Sequence, residues 1–326
     1  MSDNPRVSVM IPTYNYAHFL DDTIQSVLAQ TYDDYELIIM DNASTDNTEE
    51  VVKKYLTDNR IKYYKSNVNV GLVNNWNKCF SYSSGEFLKF LCADDKFRPE
   101  LLGKYVALMD QYPALTMIAC NKQVFGKEYN YEVNLTLAHY QKGKDITMHM
   151  LDGHQGVGEP TSVMFRRREF EIIGNFTHRY EQYVDFEYWL KLLSMGDCYL
   201  IPEILVDIRF HPDTVSNQVK RKKYQRCFEE YQIRKDVQQH VYNIDTTGSN
   251  INAMVHKYAM DCIKHSLLKT ATSLHKKQSR IAFTKAFRIA WKESLFSSTI
   301  KELTLGIKRK LRRKLPGSVM LVPKNK

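Results

Sequence analysis

Two adjacent carboxylates, Asp94 and Asp95, close the stretch Gly85-Glu-Phe-Leu-Lys-Phe-Leu-Cys-Ala-Asp94-Asp95. Residues 87–92 form a short, nearly unbroken apolar run, which suits a strand buried on both faces of a parallel sheet. Lys96, Arg98 and the helix-starting Pro99-Glu100 follow. Ligands of open α/β sheets bind just beyond the carboxyl ends of the strands. Two acids there suit a hard cation and a phosphate, because Mg²⁺ and Mn²⁺ prefer oxygen ligands. The competing reading is a helix N-terminus decorated with Asp, which the helix dipole favours anyway.

The elements that must position these acids alternate along the chain. Residues 6–12 read as a first strand, followed by Phe19, Leu20, Ile24, Val27 and Leu28 at helical spacing. Residues 35–41 form a second strand, and Asp46 caps a helix whose face is Val51, Val52, Tyr55 and Leu56. A third strand over 61–64 and a helix over 72–82 lead into the Gly85 strand. This alternation predicts a mostly parallel, doubly wound α/β sheet. Three of its strands end in Thr13-Tyr14-Asn15, Asp41-Asn42 and Asp94-Asp95, and that convergence favours a site over a decorated helix end.

Charge divides the chain in two. Residues 1–216 carry 21 basic and 30 acidic side chains, whereas residues 217–326 carry 25 and 7, so the two parts have net charges of −9 and +18. Two units are expected, 1–216 and 217–326. The second reads as helices over 222–242, 253–274 and 279–291, with a polar break at 245–252. Six scattered cysteines without a CxxC pair read as reduced thiols. With no leader-like N-terminus and no apolar stretch of spanning length, a cytoplasmic protein is expected.

Residues 6 to about 216 resemble the family 2 glycosyltransferases, which have the GT-A fold. The resemblance rests on Pro12-Thr-Tyr-Asn15, Asp41-Asn-Ala-Ser-Thr-Asp46, Asn69-Val-Gly71 with Asn77, and Gly85-Glu86 leading to Leu91-Cys-Ala93-Asp-Asp95. It implies a nucleotide-sugar donor bordered by Pro12, Thr13, Tyr14 and Asn15. Asp41, with Asn42 beside it, would accept a hydrogen bond from a base such as uracil. Gly71, Asn77 and Ala93 belong to the same donor-side motifs. Asp94 would lie near the ribose, and Asp95 would hold a Mg²⁺ or Mn²⁺ ion bridging the diphosphate. The sequence departs from the family at Cys92, where many relatives carry an acid; a thiol is a poor ligand for a hard cation and reads as strand core. Asn42 stands where a second Asp is usual.

The acceptor side falls to the second half of the body. Residues 156–162 form a turn-rich loop carrying Glu159, ahead of a strand over 163–166. Arg166, Arg167 and Arg168 read as a solvated face. In Tyr183-Val-Asp185-Phe-Glu187, the apolar Phe186, Trp189, Leu190 and Leu193 share one helical face, with Asp185 at the helix start. The resemblance makes Asp185 the general base that an inverting transfer needs, with Glu187 and Glu159 as alternatives, whereas the plain reading of Asp185 is an N-cap. Arg209 and His211, after a strand over 204–210, match an Arg-X-His element whose His approaches the diphosphate or metal in relatives.

The function expected is an inverting transfer from a UDP-sugar to a saccharide or lipid-linked saccharide hydroxyl in polysaccharide biosynthesis. Phe296, Ile300, Leu303, Ile307, Leu311 and Leu315 line one face of a terminal helix whose other side carries Lys308, Arg309, Arg312 and Arg313. Such a helix suits an anionic membrane surface and predicts a peripheral protein at the inner face of the cell membrane. A nucleic-acid-binding protein is the reading from another class, given a pI of about 9.0. The acidic body and the lack of a recognition signature stand against it, and no nucleic-acid partner is expected. A sugar nucleotidyltransferase shares the fold type, but the chain has no Gly-rich triphosphate loop with a paired Lys near its N-terminus.

Overall fold

The computed structural model describes residues 4–154, 156–212, 223–272, 277–295 and 297. Its first part alternates strictly: β1 (Val7–Thr13), α1 (Ala17–Leu28), β2 (Tyr35–Asp41), α2 (Thr48–Lys53), β3 (Ile61–Lys65), α3 (Leu72–Tyr82) and β4 (Phe87–Phe90). There follow β5 (Lys96–Phe97), α4 (Leu101–Gln111), β6 (Leu115–Phe125), β7 (Asn130–Val133), β8 (His139–Gln141) and α5 (Gly143–Leu151). A 3₁₀ turn at Pro160–Ser162 precedes β9 (Met164–Arg166), α6 (Arg167–Ile173), α7 (Val184–Leu193) and β10 (Asp197–Arg209).

Among the described residues the strands form one sheet in the order β3-β2-β1-β4-β9-β6-β10-β5, with β7 on β6 and β8 on β10. The strands β3, β2, β1 and β4 are mutually parallel, β6 and β10 are parallel, and β9 joins the two groups antiparallel to both. The chain runs outward from β1 through β2 to β3, then returns to the other side of β1 for β4. That reversal opens a crevice at the carboxyl ends of β1 and β4, where doubly wound sheets bind ligands.

Period-two alternation sends the two sets of strand side chains to opposite faces. Val7, Val9, Ile11, Leu37 and Ile39 pack under α1, α2 and α4, whereas Met10, Ile38, Met40, Phe90 and Phe165 pack under α3, α5 and α7. Each fully buried side chain of this size contributes about 1.5–3 kcal/mol. An exposed ion pair contributes under about 1 kcal/mol, so the two apolar layers hold the sheet. Gly85 allows β4 to enter beside β1: a Cβ there would lie 2.5 Å from the Ser8 nitrogen and 2.7 Å from the Val7 carbonyl carbon.

Two expectations need correction. The arginine run is not a solvated face: Arg166 is buried, its guanidinium donating to the carbonyls of Leu115 (2.7 Å) and Met109 (2.5 Å). Arg167 likewise donates to the carbonyl of Gly85, and of the three only Arg168 is well exposed, paired with Glu169. The strand β6, eleven residues long and central to the sheet, has no counterpart among the expected elements, although residues 115–120 are apolar except for Thr116.

Contacts divide the chain into two compact units, residues 1–218 with 240–249, and residues 219–239 with 250–326. The first regains the segment 240–249: Tyr242 meets the hydroxyl of Tyr180 at 3.3 Å, and Lys144 donates to Asp245 at 2.6 Å. In the second unit lie α8 (Lys223–Gln238), α9 (Ile251–Thr272) and α10 (Lys277–Lys292), close to the helices expected from the sequence. No helix among the described residues is long and apolar enough to cross a membrane. The basic terminal helix expected from residue 296 onward lies outside the described residues.

Candidate active site

Each loop at the carboxyl end of the parallel strands is tied to its neighbour. After β1, Asn15 adopts a positive φ of 57° and takes the Ser44 hydroxyl on its N–H (2.9 Å). Its side-chain oxygen accepts the N–H of Thr45 at 2.8 Å. Asp46 does more than cap one helix: it accepts the N–H of Ala17 (3.0 Å), the first residue of α1, and the N–H of Thr48 (3.1 Å), the first of α2. Asn42 reaches the third loop, donating to the side chain of Asn69 (2.9 Å) and accepting the N–H of Val70 (2.8 Å). Gly71, at φ 85°, starts α3.

Within this frame Asp41 is fully buried at the end of β2, accepting the N–H of Ser44 (2.8 Å) and the hydroxyl of Tyr63 (2.6 Å). Pro12 is partly buried, Tyr14 is exposed, and the buried Thr13 hydroxyl has no hydrogen-bond partner among the described residues. Asn77 stands apart from these loops. Its amide donates to the carbonyl of Phe176 (3.0 Å) and accepts that residue's N–H (2.9 Å), so it braces the approach to α7. Ala93 is buried, and its carbonyl accepts the hydroxyl of Thr23 at 3.0 Å.

The acidic pair lies just beyond β4. Asp94 meets His211, carboxylate oxygen to Nε2, at 3.0 Å, and the His211 ring lies against Phe19 at 4.8 Å. Asp95 does not face solvent as its strand-end position suggested. It is 3% exposed, accepting the hydroxyl of Thr161 (2.6 Å) on one oxygen and the N–H of Arg209 (2.8 Å) on the other. The Arg209 guanidinium stacks on Phe19 and Phe125 at 4.6 Å and donates to the carbonyl of Asp94 at 2.9 Å. Burial raises the pKa of both acids, that of Asp95 strongly, and the Asp94 charge pushes Asp95 further. Burial also pushes the Cys92 thiol well up, so it is an uncharged neighbour whose N–H donates to the Thr161 hydroxyl at 3.1 Å.

The turn Pro160–Ser162 brings Glu159 near this floor, where its charge acts on Asp95. Glu159, just before it, is paired with the buried ammonium of Lys122. At the start of α7, Asp185 accepts the N–H of Phe186 at 2.8 Å. Burial, opposed by that bond and reinforced by Glu159, raises its pKa to about 6. Glu187 does not join them. Two residues along a helix turn a side chain by about 200°, and Glu187 is buried, accepting the Thr177 hydroxyl (2.6 Å) and pairing with Lys191 (3.0 Å). It lines a cavity of about 550 Å³ that has none of Asp94, Asp95, Glu159 or Asp185 in its wall.

Sequence reasoning missed Thr161, Lys122 and Lys89. Lys89, inside an apolar strand run, and Lys122, within β6, were the visible irregularities; nothing local marks Thr161.

Residues 8–173, more than half of the chain, match the family described as Glycosyl transferase family 2. The Escherichia coli protein WfgD, a UDP-Glc:alpha-D-GlcNAc-diphosphoundecaprenol beta-1,3-glucosyltransferase, is 29% identical over 59% of this chain and 71% of its own. S. aureus TarS 1-349, solved in complex with UDP-GlcNAc, aligns with a TM-score of 0.66 at 13% identity over 94% of this chain and 92% of that one. The mannosyltransferase PcManGT from Pyrobaculum calidifontis, in complex with GDP-Man and Mn²⁺, aligns with a TM-score of 0.54 at 14% identity over 96% and 89%. The two structures share the fold of this chain, an α/β sheet of GT-A type with helices after it. The chain belongs to glycosyl transferase family 2 and is a glycosyltransferase.

Proposed function

We propose that the protein is an inverting transferase moving a sugar from a UDP-linked donor to a hydroxyl of a saccharide or lipid-linked saccharide in polysaccharide biosynthesis. The observation that carries this reading is Asp185, an acid with its pKa raised to about 6, at the start of a helix and within electrostatic reach of Glu159, whose charge also acts on Asp95. A carboxylate with a pKa near 6 is ionised at neutral pH and is a stronger base than an ordinary Asp. It takes the acceptor proton as the acceptor oxygen bonds to the anomeric carbon; the bond to the diphosphate breaks on the opposite side, and the nucleoside diphosphate leaves with the electron pair.

The donor loops suit a nucleotide. The carboxylate of Asp41 offers about four lone-pair directions, of which Ser44 and Tyr63 use two. A uracil N3–H is the third donor proposed for it. Among the described residues no three His, Cys, Asp or Glu side chains form a metal-holding group. The buried, weakly compensated charge of Asp94 and Asp95 next to His211 nevertheless fits one divalent ion, since Mg²⁺ takes one or two carboxylates and completes its shell with water and substrate phosphates. Asp94 and His211, with Asp95 behind them, would hold Mg²⁺ or Mn²⁺, which neutralises charge developing on the departing diphosphate.

A panel of nucleotide sugars with Mn²⁺ tests the reading. Selective thermal stabilisation by UDP-sugars, and release of UDP on adding a saccharide acceptor, are expected. Release of pyrophosphate instead assigns a nucleotidyl transfer, and salt-sensitive retention on nucleic acid without donor turnover assigns the binding protein.

We further propose a cytoplasmic protein that docks on the inner face of the membrane. The +18 charge of residues 217–326 supports this, as do Phe283, Phe287 and the 73% exposed Trp291, spaced four apart on α10. Deleting residues from 300 onward is expected to weaken sedimentation with anionic liposomes and to spare transfer to a soluble acceptor analogue. Equal sedimentation of both forms takes the docking away from residues 300–326, and sedimentation of neither form rejects it.

A further inference from the structure

Lys89 lies at the centre of β4, between Val9 of β1 and Met164 of β9, and is 0% exposed. Its ammonium donates to the carbonyls of Thr161 and Val163 (3.2 Å to the latter), not to a carboxylate. The rings of Phe97 and Tyr105 flank it at 4.7 and 5.7 Å. Burying an ammonium among carbonyls and rings, without a counter-ion, carries a desolvation penalty. Burial accordingly pushes its pKa down to about 7. An unbranched apolar side chain such as Met would fill the same strand position without that penalty.

What the lysine secures is the segment above it. The carbonyls it binds belong to alternate residues of the stretch that follows Glu159. Between them the hydroxyl of Ser162 closes back on the carbonyl of Glu159 at 2.8 Å, and the Tyr105 hydroxyl binds the carbonyl of Ser162 at 2.6 Å. With its backbone fixed from below, Thr161 directs its hydroxyl onto Asp95 (2.6 Å) and accepts the N–H of Cys92 (3.1 Å).

We propose that Lys89 is a positioning residue for the transfer, acting through the carbonyls of Thr161 and Val163 to keep the Thr161 hydroxyl on Asp95. The proposal rests on the glycosyltransfer reading only for its kinetic half; its structural half is read without turnover. In Lys89→Met the Cys92 amide, which donates to Thr161, is expected to exchange with deuterium at least tenfold faster. The Leu91 amide, bonded to the carbonyl of Met10 at 2.9 Å, serves as the unchanged reference. In the transfer assay Lys89→Met and Thr161→Val each lower kcat by roughly 10–100-fold, the range for losing support around a charged site. The donor KM moves less than threefold, and the double variant is no worse than the poorer single one.

Wild-type exchange at Cys92 in Lys89→Met overturns the proposal, as do a wild-type kcat in Thr161→Val and losses that multiply in the double variant. Should Lys89→Met not fold, Lys89→Gln, with a shorter amide donor, gives the same exchange and cycle readings against Thr161→Val. Lack of turnover in the wild-type protein speaks against the glycosyltransfer reading, while the exchange measurement still decides the role of Lys89.

Discussion

Asp185→Asn lowers turnover by roughly 10²–10⁴-fold, the range for a lost general base, while donor binding stays near that of the wild type. The amide keeps the size of the side chain and its acceptor for the Phe186 N–H, but takes no proton at neutral pH. Stability moves the other way. The folded pKa of about 6 lies above the ordinary value of 3.8, so ionising Asp185 opposes folding. Its contribution is fully present below the unfolded pKa and is lost as pH rises through about 6. Asp185→Asn is therefore more stable than the wild type at pH 8, on the order of 1–3 kcal/mol, and indistinguishable from it near pH 3. Wild-type kcat/KM falls as pH drops through about 6. Stopped assays across pH 5–8 and urea melts at both pH values check the set. Wild-type turnover in Asp185→Asn transfers the role to Glu159, because Glu187 is held by Thr177 and Lys191.

Asp94→Asn is the second large effect: transfer falls by roughly 10²-fold or more, and half-saturation with Mn²⁺ moves to higher concentration. Asp94 is the better probe because its side chain is the accessible one and meets His211. Asp95→Asn confounds two effects. Its oxygens accept a backbone N–H and a hydroxyl: an amide NH₂ facing Arg209 sets donor against donor, and one facing Thr161 forces that hydroxyl to turn its proton away. His211→Ala is expected to shift the Mn²⁺ dependence in the same direction as Asp94→Asn. Unaltered Mn²⁺ titrations in both variants remove the ion from this position.

The half of the fold from β1 to β4 was legible because β1, β2 and β4 are largely apolar, strands and helical faces alternate, and β1, β2 and the β4 run each lead into polar residues. The second half was legible only in part: the strand expected over 163–166 is β9, whereas β5, with two residues, is too short for any periodicity to register, and β6, β7 and β8 had no expected counterpart. The misreading of Arg166 has the same origin: three arginines in sequence say nothing about the carbonyls of Met109 and Leu115 that receive one of them. In the site, Asp94, Asp95 and Asp185 stood out as acids at element ends, a local signal. The His211 contact joins residues 117 apart, and Thr161 reaches Asp95 across 66. Such pairings are created by the strand order, which residue spacing does not encode. Resemblance to a family supplied Arg209 and His211; physics from the sequence alone left them unplaced.

The stitching of the first three loops, Asn15 to Thr45, Asp46 to Ala17 and Thr48, and Asn42 to Asn69 and Val70, bears on how a nucleotide is captured. Ordering a loop on binding subtracts from affinity, and here that ordering is already complete when the chain folds. Association with the nucleotide is then close to a rigid-body event, with little lag between encounter and productive pose. For the donor site proposed above, selectivity among nucleotides then rests on fixed shape.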